Sequence, residues 1–301
     1  MNENASPKQE TRDGRAARIL SVLCAAALLA ALSGCALLPL ADRGGDMSCD
    51  ITETFEDVRI DVVSCDVSVS AGGDTCVVEY RGPSRMACTA EVKNGTLQIE
   101  EERVRRLSFW NWFSRKSSKL TVILPQEQYE ALELRAVSGD VKLEDGDVFR
   151  DVRIVTTSGD MDLTGAGGGD VTLESVSGDV KFRDGNASGL SVGTTSGDVA
   201  VTGVDVSGRA ELTTTSGDVT VTGVDVTGQT ELSTTSGDVA LLDTDAESLS
   251  ISTTSGDVRT ELRTPKEYVT HTGSGDVSVA NSVPGAGRCE IETVSGEILC
   301  R

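Results

Sequence analysis

Aromatic side chains make up 3% of this 301-residue chain, proline contributes six residues and histidine one. Positive charge is also scarce, with 27 Lys and Arg against 48 Asp and Glu, a net charge of −21. Each shortage excludes something. A nucleic-acid binder needs a basic face to displace counterions, and this chain has the opposite sign. A zinc site built on histidines is excluded by the single His271. A core with so few rings must be made from Val, Leu, Ile and Thr, the residues of strands. A hydrophobic fraction of 38% is enough for such a core, so the chain is not simply disordered.

The N-terminus reads as an address. Lys8, Arg12, Arg15 and Arg18 precede Ile19–Leu32, fourteen residues without a charge. That is the pattern of an export signal. It runs into Leu32-Ser33-Gly34-Cys35, which resembles the lipobox of bacterial lipoproteins. The resemblance implies cleavage of residues 1–34, a diacylglyceryl group on Cys35 and a tether over 35–49. The rival expectation is a transmembrane helix, since Ile19–Leu40 is 22 uncharged residues, enough to span ~30 Å. Ser33, Gly34 and Pro39 interrupt it. Either expectation puts the rest of the chain outside the cytoplasm, anchored to a lipid bilayer.

With Cys24 in the signal and Cys35 lipidated, six cysteines remain: Cys49, Cys65, Cys76, Cys88, Cys289 and Cys300. An even count in an exported chain suggests disulfides, with 15 pairings open.

The chain is dominated by a repeat. Ser-Gly-acid tripeptides begin at Ser138, Ser158, Ser177, Ser196, Ser216, Ser236, Ser255, Ser274 and Ser295. When the copies are aligned on Ser, apolar residues stand four before it and three and five after it. Thr usually stands two before it, and the intervening columns are mostly polar. This is period-2 alternation on both sides of a turn. Gly supplies the turn's backbone angles, while Ser and Asp bond locally. A unit of ~20 residues cannot bury its own apolar face, but a stack can. The regular spacing predicts a parallel β-solenoid rising ~4.8 Å per coil. An antiparallel sandwich with hairpin tips at Ser-Gly-Asp is the alternative, but it does not require such regular spacing. Residues 50–134 read as degenerate coils of the same domain: Ser64-Cys65-Asp66 replaces the tripeptide, and Asn94-Gly95 marks a turn into a strand.

The Ser-Gly-Asp-Val ladder with its preceding Thr-Thr resembles the bacterial "putative adhesin" repeat domain, over roughly residues 50–301. The resemblance implies an exported or membrane-anchored protein whose name points to surface adhesion. Some similar domains belong to envelope-stress systems. It implies no catalytic residue.

Four features remain as candidates for chemistry. The first is a column of carboxylates: Asp140, Asp160, Asp179, Asp198, Asp218, Asp238, Asp257, Asp276 and then Glu297. Neighbours ~5 Å apart repel by ~0.8 kcal/mol even in water, so something must offset them. The expectation is that each Asp accepts backbone N–H bonds in its own turn. A line of calcium ions is the alternative, against which the Gly-Gly-x-Gly-x-Asp nonapeptide of calcium solenoids is missing. The second feature is the stretch 103–119, RVRRLSFWNWFSRKSSK. Phe109, Trp110, Trp112 and Phe113 lie among Arg105, Arg106, Arg115 and Lys116, a composition suited to a membrane interface. A loop folded over the solenoid is the competing reading. The third is Cys289 and Cys300, both in inward columns of what reads as the last coil, where a disulfide would close the end. The fourth is His271, which falls in an outward polar column and reads as surface.

Residues 138–301 carry 28 acidic and 11 basic groups spread over the repeats, not the clustered carboxylates and bases of a polysaccharide-cleaving groove. The sequence therefore predicts a non-catalytic surface binder or scaffold whose partner is an unnamed surface, polymer or envelope protein. A membrane-associated stress or regulatory component is the alternative, and a polysaccharide-active enzyme the weaker one.

Overall fold

A computed structural model describes residues 45–83, 86–103 and 117–301. These residues form a parallel β-solenoid of about nine turns with coils of roughly 20 residues. The alternation in the sequence is the reason. Along β9 (Phe149–Ser158) and β10 (Met161–Thr164), for example, Val152, Ile154 and Thr156 and then Met161 and Leu163 point inward and are buried, while their neighbours face water.

The start of the fold comprises β1 (Met47–Ile51), β2 (Asp57–Gly73), β3 (Cys76–Arg81), β4 (Met86–Lys93), β5 (Thr96–Arg103) and β6 (Ser118–Pro125). After β7 (Tyr129–Ser138) and β8 (Val141–Leu143), β9 and β10 continue the stack. It runs on through β11 (Asp170–Ser177), β12 (Val180–Ala187), β13 (Gly189–Gly193), β14 (Val199–Val206), β15 (Ala210–Thr213) and β16 (Val219–Thr222). β17 (Asp225–Ser236), β18 (Val239–Ser255), β19 (Val258–Leu262), β20 (Lys266–Ser274), β21 (Val277–Val279), β22 (Gly287–Ser295) and β23 (Ile298–Cys300) complete it.

From β7 to β19 each coil stacks on the one before it in sequence, Ser on Ser. At both ends the order breaks, which the repeat spacing did not reveal. β2 lies between β5–β6 on one side and β7–β8 on the other. Residues 50–134 are therefore only partly coils. β4 pairs antiparallel with β5, β3 antiparallel with β6, and β1 antiparallel with β3, so these three strands cover the N-terminal end. The β4–β5 hairpin turns at Asn94 and Gly95, both at positive φ (52° and 79°), as the Asn-Gly pair predicts.

At the other end, β22 pairs with β18 on one side and β20 on the other, and β23 likewise lies between β19 and β21. The last coil in sequence is thus the penultimate coil in space. Composition explains the exchange. The coil of Ser295 buries Cys289, Ile291, Thr293, Ile298 and Cys300. The coil of Ser274 offers Tyr268, Thr270 and Thr272, only half-buried, and Val277, which is exposed. The more apolar coil takes the interior slot.

Among the described residues no helix is long and apolar enough to cross a membrane. Ile19–Leu40, Cys35 and Arg105–Lys116 lie outside them, as do Phe109, Trp110, Trp112 and Phe113.

Candidate functional site: the stitched edge and the N-terminal corner

The Ser-Gly-Asp turns form one edge of the solenoid, and its chemistry runs between coils. Each Asp carboxylate accepts the backbone N–H of the Asp one coil on. The line runs from Asp66 through Asp140, Asp160, Asp179, Asp198, Asp218, Asp238 and Asp257 to the N–H of Glu297, at 2.7–3.2 Å. The expected bonds within a turn are replaced by bonds to the next. Asp276, in the terminal coil, lies beyond this line.

Two further contacts complete the edge. Thr194, Thr214, Thr234, Thr253 and Thr293 donate their hydroxyls to the turn-glycine carbonyl of the neighbouring coil at 3.2–3.4 Å. The hydroxyls of Thr156 and Ser175 in the same column are buried without a partner, so this column selects size as well as hydrogen bonding. The glycines are required sterically. A Cβ on Gly217 would stand 2.0 Å from the carbonyl oxygen of Gly197, and the same holds at 1.9–2.2 Å along the column.

Each of these carboxylates thus faces the backbone N–H of the next coil. Among the described residues no group of three or more His, Cys, Asp or Glu side chains is placed to hold a metal. Asp218→Ala removes one acceptor on an exposed edge and should cost ~1 kcal/mol. Millimolar calcium should leave the melting temperature of the unaltered protein unchanged. A rise of several degrees, lost in Asp218→Ala, would make the column a calcium site.

Sequence reasoning missed a second polar ladder, nine residues after Ser177, Ser196, Ser216 and Ser236. Asn186, Asp205, Asp225 and Asp245 pair in register on another face. Asn186, Asp205 and Asp225 border a shallow groove of about 380 Å³ that includes Gly168, Ser207 and Thr227. Arg263 binds Asp225 at 2.7 Å. Asp245 meets Lys266, whose ammonium is 5% exposed and donates to Asp245 (2.8 Å), the Ala246 carbonyl (2.6 Å) and Thr264 Oγ1 (2.8 Å). Burial pushes the Asp245 carboxyl up, but the bonds from Lys266 and Thr264 outweigh it and hold it below the usual carboxylate range. A depressed folded pKa adds stability above about pH 4 that is lost as the pH falls through the depressed value. Lys266→Met should cost ~1–2 kcal/mol at pH 7, because it takes the cation from a carboxylate that is 27% exposed and keeps its bond from Thr264. Its deficit in urea melts should shrink toward pH 3, and a pH-independent deficit would contradict the pairing.

The thiols are packing groups. Cys289 and Cys300 are buried thiols, not the expected disulfide. They stand at the outer ends of β22 and β23, six before and five after Ser295, in a coil that does not close the end. Burial pushes Cys76, Cys88 and Cys289 up to about 12 and raises Cys65 further, so all stay protonated and inert at neutral pH. Cys65 occupies the turn-glycine column, where its side chain is buried beside Ser118. His271 is exposed on β20.

The N-terminal corner carries a buried polar centre. Glu101 is 5% exposed. Its Oε2 accepts the N–H groups of Val63 and Ser64, both at 2.9 Å, and its Oε1 accepts the Tyr80 hydroxyl at 2.7 Å. The Tyr80 hydroxyl also lies 2.9 Å from Ser118 Oγ. Burial raises the Tyr80 pKa, so the phenol remains a donor. Glu101 follows Glu100, which pairs with Asp61, and so occupies the column of Val62, Ala136 and Thr156. A Glu in the Thr column was the available signal.

That centre lies where three chain segments meet. Met47 pairs with Tyr80, and Tyr80 with Leu120. The Gly45 N–H donates to the Met86 carbonyl, and Met86 pairs with Arg103. Asp46 accepts the Gly82 N–H at 3.2 Å. Arg103 and Ser118 end the strands on either side of the aromatic-basic stretch, so the point where the chain joins the solenoid lies beside both stems. Arg81 and Lys119 pair across β3 and β6 there, lining a groove of about 190 Å³ with Glu79 and Thr121.

The chain matches the Toastrack DUF4097 family over residues 55–242 and 214–301. Among solved structures it is similar to a "putative adhesin" from Parabacteroides distasonis, at 15% identity and a TM-score of 0.45, covering 85% of this chain and 98% of that one. It is also similar to one from Bacteroides fragilis, at 16% and 0.44, covering 85% and 97%. A "putative lipid binding protein" from Parabacteroides distasonis is similar at 14% and 0.38, covering 84% and 97%. No curated protein matches.

Proposed function

The chain belongs to the Toastrack DUF4097 family, and we propose that it is a non-catalytic binding or scaffolding protein on the outer side of a bacterial envelope, with its N-terminal corner toward the membrane. The observation that carries this is the junction just described. A lipid on Cys35 would leave ten residues before Gly45, at most ~35 Å of chain. The stems of the aromatic-basic stretch flank Gly45, so anchor and stretch would meet the same membrane. Rings at headgroup depth and cations on anionic lipid give that stretch an interfacial role. The interior offers no room for catalysis, since the inward columns are filled by Val, Leu, Ile and Thr.

An adhesin reading rests on a different observation. The column before the Ser holds exposed β-branched residues at every turn but that of Ser274, including Val137 (52%), Val176 (50%) and Val294 (61%). They form a long repetitive strip along the stitched edge, suited to polyvalent contact.

Vesicle binding separates the two. The unlipidated chain Ala36–Arg301 should bind vesicles containing anionic lipid and lose at least tenfold in affinity on Trp110→Ser with Trp112→Ser. Unchanged binding would sink the membrane role of the stretch. Saturable binding to matrix or glycan surfaces alone would favour the adhesin.

A further inference from the structure

Two cations face each other at the N-terminal corner. Arg81 of β3 and Lys119 of β6 stand directly opposite in an antiparallel pair, and both are exposed. Like charges so placed destabilise a sheet. In a chain with 48 acidic and 27 basic side chains, a carboxylate opposite either cation would be the stabilising choice. The acids nearby are held elsewhere. Asp66 pairs in register with Lys119 across β2 and β6, but its Oδ1 accepts the Asp140 N–H at 3.2 Å. Asp46 accepts the Gly82 N–H at 3.2 Å. Glu79 Oε2 lies 3.5 Å from Arg81 Nη2, and the Arg81 side chain stays 76% exposed. Among the described residues Lys119 makes no ion pair. A local rule broken in this way marks a site rather than a packing device.

We propose, on the reading that this corner faces the membrane, that the groove between Arg81 and Lys119 binds the phosphate of an anionic lipid headgroup. The groove holds about 190 Å³ and is completed by Glu79 and Thr121. A phosphate between the two cations turns their repulsion into attraction. The Arg81 guanidinium offers paired N–H donors to two phosphate oxygens, and the Lys119 ammonium adds a point charge. The Thr121 hydroxyl is a neutral donor in the same groove. Glu79 works against the anion, since its carboxylate competes for Arg81 and repels phosphate. Position fits the partner. Gly82, next to Arg81, bonds Asp46 beside the point where the chain joins the fold, and Ser118, next to Lys119, begins the strand that follows the aromatic-basic stretch.

The test uses the chain Ala36–Arg301 in two arms. In the first, binding to phosphatidylcholine vesicles containing phosphatidylglycerol is measured for three variants. Arg81→Gln with Lys119→Gln should lose at least about tenfold, Glu79→Gln should gain about threefold, and Lys181→Gln, another exposed cation without an ion pair, should change nothing. Both exchanged side chains of the double variant are exposed, so it should fold as the unaltered chain does. In the second arm, amide shifts are followed as glycerol phosphate is added without a bilayer. Arg81, Lys119 and Thr121 should shift together and saturate, and the double variant should not. Vesicle binding that falls in Trp110→Ser with Trp112→Ser but not in the Arg81 and Lys119 variant would overturn the site and leave the membrane reading standing. An equal loss in Lys181→Gln would reduce the effect to net charge and overturn it too. An unaltered chain that ignores vesicles but shows saturable shifts would end the membrane reading and give the groove a soluble phosphate ester instead of a lipid. Neither binding nor shifts would overturn both.

Discussion

Gly217→Ala is expected to cut the solenoid in two. The added Cβ would lie 2.0 Å from the Gly197 carbonyl oxygen, a backbone atom that cannot move without breaking its own bond from Thr214. Relief requires separating two coils along a line of bonds that includes the Asp198–Asp218 contact at 2.9 Å. We expect a loss of roughly 3–5 kcal/mol, among the largest single-site costs. Because coils contact only their neighbours, the damage should stay local and the melt should split into two transitions. Gly223→Ala is the control. Its φ is 63°, but the nearest atom to a Cβ is 3.9 Å away, so it should cost only ~1 kcal/mol with one transition retained. Circular dichroism melts of the two variants decide it, and equal, small losses would refute the close stacking.

Glu101→Ala should release the N-terminal cap. It strands the part-buried N–H groups of Val63 and Ser64, two unmet donors at ~1–3 kcal/mol each before relaxation, and leaves the Tyr80 hydroxyl with Ser118 Oγ alone. A net loss of ~3–5 kcal/mol is expected, with hydrogen exchange rising in β1, β3 and β4 while β9 to β16 keep their protection. Glu101→Gln retains one acceptor and should cost about half as much. A uniform loss of protection along the whole chain would show that cap and stack fold as one unit. No loss in either variant would remove Glu101 from the account.

Much of this was legible in the sequence because the repeat states its own chemistry. The inward Leu134, Ile154 and Leu173 column and the glycine at each turn follow from alternation and spacing. The Thr column, too, was visible, although its bond to a neighbouring glycine carbonyl was not. What stayed hidden was contact between segments whose order in space differs from their order in sequence. Thr270 breaks an otherwise aliphatic column, which in hindsight marks its coil as terminal. The antiparallel cover of β1, β3 and β4 carries ordinary alternation and so looked like further coils. The Asp carboxylates stand out in the sequence, but a one-dimensional reading assigns a short polar side chain to its own turn. The nearest N–H lies in the next coil.

The most direct test is hydrogen exchange on the unlipidated chain, free and bound to anionic vesicles. The account predicts new protection confined to the N-terminal corner, at Gly45–Met47, Tyr80–Gly82, Met86 and Ser118–Leu120, with the stitched edge unchanged. Protection spread along the Val137, Val176 and Val294 strip, or none at the corner of a vesicle-bound chain, would contradict it.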